Sequence, residues 1–230
     1  MNKEFIIGTF NIQNEYKNNS QDYDNKVKKL IKFIYDNNVY CLGLQEVTPK
    51  YFNTLNKLIN KNYYIYGNYR FKNSKFLDKL NESVNVLCKY KSKKYNTIYL
   101  SKFPFFPRIM TTIETDDFLF INVHLEFWSK YFRNKELKNL YNYINSNREK
   151  NIILVGDFNV EIKDTYFLGF INKLSKLDIR LVPNEEFTHK NKIIDYIFIS
   201  NKYELLDVWV EKNLKEISDH MPLMVKIKKK

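Results

Sequence analysis

Apolar residues recur along this chain in short runs, and four polar clusters stand at run ends. The runs at 4–10, 39–45, 63–67, 84–90, 95–100, 108–114, 118–124, 151–156, 193–199, 204–210 and 222–228 are rich in Ile, Val, Tyr and Phe. Such residues suit a pleated, packed surface, and the runs predict strands. Several, such as Ile152-Ile153-Leu154-Val155, are apolar throughout, as strands covered on both faces are. A different period marks the helices. Val27, Leu30, Ile31 and Ile34 keep the i, i+3, i+4, i+7 spacing and predict a helix over 22–36. Pro49 opens a second over about 49–60, carrying Phe52, Leu55, Leu58 and Ile59. A third, over about 133–147, carries Leu137, Leu140, Tyr141 and Ile144, and a shorter one lies near 164–174. Strands between 84 and 124 follow one another without helices, which disfavours a doubly wound parallel sheet. The expected fold class is α/β: two mainly antiparallel sheets packed face to face and flanked by helices, a four-layered α/β sandwich.

The polar clusters at the run ends are Thr9-Phe10-Asn11, Leu44-Gln45-Glu46-Val47, Gly156-Asp157-Phe158-Asn159 and Ser218-Asp219-His220. Taken singly, each has an ordinary reading as a turn. Asp157 and Asn159 are two apart, so continued strand geometry would turn both to one side and Phe158 to the core. A carboxylate and an amide so placed can orient a water and bind a phosphate oxygen. Glu46 suits a Mg²⁺ ligand, because that ion is held by one or two carboxylates plus waters and substrate phosphate. Asn11 is a turn residue or a support for that metal. The chain has three histidines, and two of them, His124 and His220, stand at strand ends. Asp195 lies inside Ile193-Ile194-Asp195-Tyr196-Ile197-Phe198-Ile199. A carboxylate there is costly unless paired, and His220 or His124 could pair it.

Composition adjusts this picture at a few points. The 230 residues, 44% hydrophobic and 28% charged, suit one globular domain spanning 1–230. The net charge of +12 fits a polyanionic partner, nucleic acid or an anionic membrane face; lysine drift in an AT-rich genome gives the same bias. Cys41 and Cys88 sit inside apolar runs and read as small buried hydrophobes. The chain opens on a strand at Phe5-Ile6-Ile7 without a signal-like segment, and no apolar stretch reaches the length of a membrane span. A soluble, monomeric protein of cytoplasm or nucleus, without stable membrane insertion, is expected.

Together and in order, these segments resemble the endonuclease/exonuclease/phosphatase superfamily, whose fold is DNase I-like. The resemblance runs through Thr9-Phe10-Asn11-Ile12-Gln13, Leu44-Gln45-Glu46-Val47, Leu100-Ser101-Lys102-Phe103-Pro104, Asn122-Val123-His124-Leu125, Gly156-Asp157-Phe158-Asn159, Ile194-Asp195-Tyr196-Ile197 and Ser218-Asp219-His220-Met221-Pro222-Leu223. It implies Glu46 as the main ligand of Mg²⁺, with Mn²⁺ as a substitute, and Asn11 and Asp219 nearby. It also implies that His220, oriented by Asp195, contacts the scissile phosphate, and that Asp157 positions or deprotonates the attacking water. Asn159 and His124 would contact phosphate oxygens, and Arg133 matches a position where many members carry a basic residue.

The resemblance does not fix the substrate. The Trp-Leu-Gly-Asp-Leu-Asn-Tyr and Pro-Ser-Trp-Thr-Asp-Arg stretches of inositol phosphatases are absent, as is the Tyr-x-Pro-Asn segment of abasic endonucleases. His124-Leu125-Glu126 resembles the tyrosyl-DNA phosphodiesterase branch, although a His-Leu pair also occurs in deadenylases and lipid phosphodiesterases. The expectation is a Mg²⁺-dependent phosphodiesterase acting on nucleic acid, a nuclease or DNA-end-processing enzyme. The alternatives are a sphingomyelinase-like or small phosphoester hydrolase, and an inactive nucleic-acid-binding relative. Phe103-Pro104-Phe105-Phe106-Pro107 reads as the approach to a strand rather than a membrane hairpin. Phe127, Trp128 and Tyr131 either stack on bases or cover a helix edge.

Overall fold

The computed structural model describes residues 3–13, 23–71, 81–102 and 107–230. Its strands are β1 (Glu4–Asn11), β2 (Cys41–Val47), β3 (Tyr64–Tyr66), β4 (Ser83–Cys88), β5 (Lys94–Ser101), β6 (Arg108–Glu114), β7 (Leu119–His124), β8 (Ile152–Asp157), β9 (Ile179–Leu181), β10 (Asp195–Ser200), β11 (Tyr203–Val210) and β12 (Leu223–Lys229). The helices are α1 (Tyr23–Asp36), α2 (Pro49–Leu58), α3 (Lys130–Asn145) and α4 (Thr165–Ser175). The strands form two six-stranded sheets, β11-β12-β1-β2-β4-β3 and β5-β6-β7-β8-β10-β9.

Both sheets are mixed, and in the same way. One parallel pair lies at each centre, β1 with β2 and β7 with β8; the other pairings are antiparallel. A parallel pair needs a crossover, and α1 and α3 supply the two. The carboxyl ends of each central pair therefore share an edge. The antiparallel neighbours β12 and β10 begin where those strands end. That topology, more than any local motif, collects the polar clusters.

The period-two pattern sorts side chains between layers. Phe5 and Ile7 of β1 meet Ile153 and Val155 of β8 and Ile197 of β10 in the core between the sheets. The alternate positions face outward. Leu42 and Leu44 pack with Val27, Leu30 and Ile34 of α1 and Leu55 of α2, while Ile152 and Leu154 pack with Leu137 and Leu140 of α3 and Phe167 and Phe170 of α4. Cys41 and Cys88, opposite one another on β2 and β4, are buried in the inter-sheet core. Among the described residues, no helix is long and apolar enough to cross a membrane.

Of the described strands, sequence periodicity missed β9, whose three residues are interrupted by Arg180 and show no apolar run. The third helix begins three residues before 133, because the Ser129 hydroxyl accepts the Phe132 N–H and caps it there. Residues 103–106 of the segment expected to approach a strand lie outside the described residues.

Two glycines let backbones meet where a side chain could not. A Cβ on Gly43 would lie 2.6 Å from Val155 of the opposite sheet. On Gly156, with φ of +151°, it would lie 2.2 Å from the Val123 carbonyl oxygen. Gly156→Ala is therefore expected to destabilise the fold by at least about 2 kcal/mol in equilibrium denaturation. Asp164→Ala, which removes the carboxylate capping the Tyr166 and Phe167 N–H groups of α4 together with its ion pair to Lys130, is expected to cost about 1–2 kcal/mol.

Candidate active site

The last residues of the central strands meet at one edge of the sandwich. Asn11 ends β1 opposite Gln45 of β2, and His124 ends β7 opposite Asp157 of β8. Asn11 connects the sheets: its amide nitrogen donates to Glu46 Oε1 at 3.1 Å and to Asp157 Oδ2 at 3.0 Å. Its amide oxygen accepts the Gln13 N–H at 3.0 Å, and its carbonyl accepts the Ser218 hydroxyl at 2.7 Å. Two carboxylate oxygens thus converge on one nitrogen. His124 Nε2 lies 3.9 Å from Glu46 Oε1 and 3.7 Å from Asp157 Oδ2.

Behind this edge, a polar cluster between the sheets fixes the strand ends. Gln45 donates to Thr9 Oγ1 at 2.9 Å and Asn122 Oδ1 at 2.6 Å. Asn122 in turn donates to the carbonyls of Leu44 and Asn85. The amide nitrogens of both residues are satisfied in this way, as most buried polar groups are, and the bonds tie β2 to β7 just below Glu46. Glu46 itself has φ of +58°, at an irregularity in the pairing of β2 with β4. A left-handed conformation at a residue with a long side chain costs roughly 1–2 kcal/mol. Strain of this kind concentrates at functional positions.

Asp157 serves as both turn and site residue. Its Oδ1 accepts the Asn159 N–H at 2.8 Å in an Asx-turn, while Oδ2 faces Asn11. The strand does not continue: Asn159 takes φ of +52° and its amide donates to the Leu125 carbonyl. Phe158 turns into the core between sheet and helices.

Asp195 of β10 stands directly opposite Asp157 of β8, and both are buried. His220 joins them, with Nδ1 2.9 Å from Asp195 Oδ2 and Nε2 3.8 Å from Asp157 Oδ2. Burial alone would lower the imidazole pKa; the Asp195 carboxylate, then Asp157 and Asp219, outweigh it and hold His220 up at about 10. Burial, then the Asp195 charge, pushes Asp157 up to about 7. His124 is held well below its ordinary value by burial, then by the charges of Arg108, Arg70 and His220. One histidine is a cation at neutral pH and the other is neutral.

Of the residues expected from sequence, Asn11, Glu46, His124, Asp157, Asn159, Asp195 and His220 gather at this edge. Asn11 presents its amide nitrogen to the carboxylates, so as placed it organises the acidic pair rather than adding a ligand oxygen. Asp219 faces His189 Nε2 at 3.2 Å, and that contact lowers its pKa. Arg133 donates to the Glu126 carbonyl at 3.0 Å and holds the loop after β7. Asp157, Asp195 and His220, and likewise His189, Asp219 and His220, are close enough to hold a metal ion.

Periodicity gave no sign of three residues. His189 stacks on His220 with ring centroids 4.3 Å apart, from a segment without regular structure. Arg70 pairs with Glu82, and Arg108 pairs with Glu126 at 3.3 Å. Both arginines are buried near His124. Burial of an arginine depends on partners distant in sequence, so no local pattern reveals it.

Comparison with known proteins agrees with this architecture. The model of the Endonuclease/Exonuclease/phosphatase family matches residues 8–220, and the chain belongs to that family. A search of curated proteins by sequence found no match. Solved structures match over almost the full chain at low identity. An endonuclease/exonuclease/phosphatase from Bacteroides vulgatus is 19% identical with TM-score 0.80, covering 99% of this chain and 100% of that one. The mannosyl-6-phosphatase of Bacteroides thetaiotaomicron is 17% identical with TM-score 0.75, covering 97% and 99%. ANGEL2, a 2′,3′-cyclic phosphatase solved with adenosine-2′,3′-vanadate, is 15% identical with TM-score 0.77, covering 99% and 96%. These likenesses establish the shared fold, that of the DNase I-like α/β sandwich.

Three histidines make the electrostatics directly measurable. In metal-free protein, NMR titration is expected to show one imidazole, His220, protonated well past neutrality, and His124 neutral. Asp195→Asn is expected to lower the His220 pKa. An unchanged His220 titration in that variant would refute the assignment of Asp195 as its charge partner.

Proposed function

We propose that this member of the endonuclease/exonuclease/phosphatase family is a Mg²⁺-dependent phosphodiesterase that hydrolyses nucleic acid by in-line attack of water. The observation that carries the reading is the convergence of Glu46 and Asp157 on the Asn11 amide, with the Asp195–His220 pair beside them. The part-exposed Glu46 carboxylate, held beside Asp157 by the Asn11 amide NH2, offers oxygens to a small hard cation, whose preferred ligands are oxygens. Glu46 would hold it as principal ligand, with Asn11 and Asp219 flanking; Mn²⁺ would fit the same donors. When bound, the cation supplies charge neutralisation on the phosphoryl and leaving oxygens.

The chain's own residues do the rest. Asp157, with its pKa raised to about 7, is matched to accept a proton from water near neutral pH. The His220 imidazolium donates from Nε2 to a phosphoryl oxygen, while Asp195 holds the ring by Nδ1. His124 contacts the phosphate as a neutral imidazole, and Asn159 binds a phosphate oxygen. Arg133 contributes by holding the loop that follows His124.

The net charge of +12 supports a polyanionic substrate. The fold relative solved with an adenosine-2′,3′-vanadate supports a nucleoside-bearing one. The mannosyl-6-phosphatase relative makes a small phosphomonoester the competing substrate. His124-Leu125-Glu126 leaves 5′-tyrosyl DNA among the nucleic-acid substrates to compare.

The test is a panel of single-stranded DNA, RNA, duplex DNA, 5′-tyrosyl DNA, a sugar phosphate and sphingomyelin, each with Mg²⁺ and with EDTA. Nucleic acid is expected to be cleaved with Mg²⁺ and spared in EDTA. Glu46→Gln is expected to lower kcat by about 10²-fold or more with little change in thermal stability. Turnover of only the sugar phosphate or sphingomyelin would overturn the substrate class, and full activity of Glu46→Gln would overturn the site.

A further inference from the structure

The loop joining β7 to α3 starts one residue after His124 and carries two outward aromatic side chains. Phe127 is 56% exposed and Trp128 82%, the highest value among large hydrophobic residues that are described. Tyr131, in the first turn of α3, is 62% exposed. Aromatic rings gain by burial and lose it when held in water. Single exposed hydrophobics are common, but three in five residues beside an active site form a local surface.

This loop is also held firmly. Glu126 uses each of its polar groups: its N–H donates to Glu136 Oε2 at 2.8 Å, its carbonyl accepts from Arg133, Oε2 pairs with Arg108, and Oε1 accepts the Trp128 N–H at 2.8 Å. Glu136 is completely buried and also accepts from Ser101 at 2.7 Å. The Asn159 amide fixes the neighbouring Leu125 carbonyl. A set of buried charges therefore immobilises the segment whose next two side chains point into solvent. The rings stand together, Phe127 and Trp128 edge to face with centroids 5.5 Å apart.

Cations surround them. The Arg108 guanidinium lies over Phe127 at 5.7 Å and Lys135 over Tyr131 at 4.3 Å. Lys130 pairs with Asp164 at 2.8 Å, joining this loop to the one that follows β8. Arg108 and Lys130 are spent on Glu126 and Asp164, which leaves Lys135 at the edge of the rings, and exposed aromatic faces beside a positive charge match a nucleobase and its phosphate. A bilayer anchor would require a larger apolar area or a second signal.

We propose that Phe127 and Trp128, with Tyr131 beside them, form a preorganised stacking surface for the unpaired nucleobase next to the scissile phosphate, which makes single-stranded nucleic acid the preferred substrate. The proposal rests on the nucleic-acid reading above and narrows it. In a duplex both faces of every internal base are already covered, so a single strand or a duplex end is what offers a free face to the rings.

The chain has two tryptophans, so Trp209→Phe leaves Trp128 as the sole indole fluorophore. In EDTA, titration of this variant with a single-stranded oligonucleotide is expected to quench its emission saturably, and the matched blunt duplex to quench it far less. With Mg²⁺, Trp128→Ala is expected to raise KM for the single strand about tenfold. Turnover of methyl p-nitrophenyl phosphate by the same variant is expected to stay within about twofold of wild type. Absence of quenching while wild-type protein still cleaves the oligonucleotide would overturn the stacking surface and leave the nucleic-acid reading standing. A blue shift with anionic vesicles alone would overturn it in favour of a lipid surface. If wild-type protein cleaves no oligonucleotide, both readings fall.

Discussion

Asp157 and Asp195 face one another from adjacent buried strands, and two carboxylates cannot both be charged there without a cation between them. The His220 imidazolium meets that need from the other sheet, where it precedes β12. The final strand of the first sheet is thereby locked against the centre of the second. Ser218 adds to the lock by donating to the Asn11 carbonyl. Burial, and after it the Asp195 charge, raises the proton affinity of Asp157, so the same enclosure and repulsion that must be offset in folding prepare a base for chemistry. Removing one member of such a buried group leaves an uncompensated charge, which costs about 3–5 kcal/mol. His220 therefore cannot be read as catalytic or structural alone.

Much of the architecture was legible because it depends on local periodicity. The apolar runs of β1, β7, β8 and β12 and the 3.6-residue spacing in α1 and α3 are properties of neighbouring residues. The strand-end clusters were legible for a related reason: polar residues closing an apolar run are conspicuous. Their convergence was not a matter of local pattern. It follows from two parallel pairs at the sheet centres, with β10 and β12 antiparallel beside them. The family resemblance supplied that step before the geometry did. Asp195 was legible as a buried carboxylate in need of a partner; the family resemblance pointed to His220, and the structure shows that contact at 2.9 Å.

The remaining elements of the site depend on contacts that sequence spacing does not encode. Arg70 and Arg108 lie near His124 from widely separated segments and help keep it neutral. His189 lies on an irregular segment held by the Met221 N–H to Thr188 carbonyl contact, and places its ring on His220. Asn11 was readable as a site residue, but the side of its amide that faces the acids was not. On resemblance Arg133 is a basic, substrate-binding position; its guanidinium bonds the Glu126 carbonyl, where it braces the loop above the site.

The central claim is the proposed divalent-cation site at the junction of the two sheets, with Glu46 as principal ligand and Asn11 and Asp219 flanking it. Mn²⁺ binding followed by electron paramagnetic resonance tests this most directly, because it needs neither substrate nor turnover. Wild-type protein is expected to bind Mn²⁺ and to melt at a higher temperature with it. Glu46→Gln is expected to bind it at least about tenfold more weakly and to lose that rise in melting temperature. Equal Mn²⁺ affinity in the two proteins, with the same thermal shift, would contradict the claim.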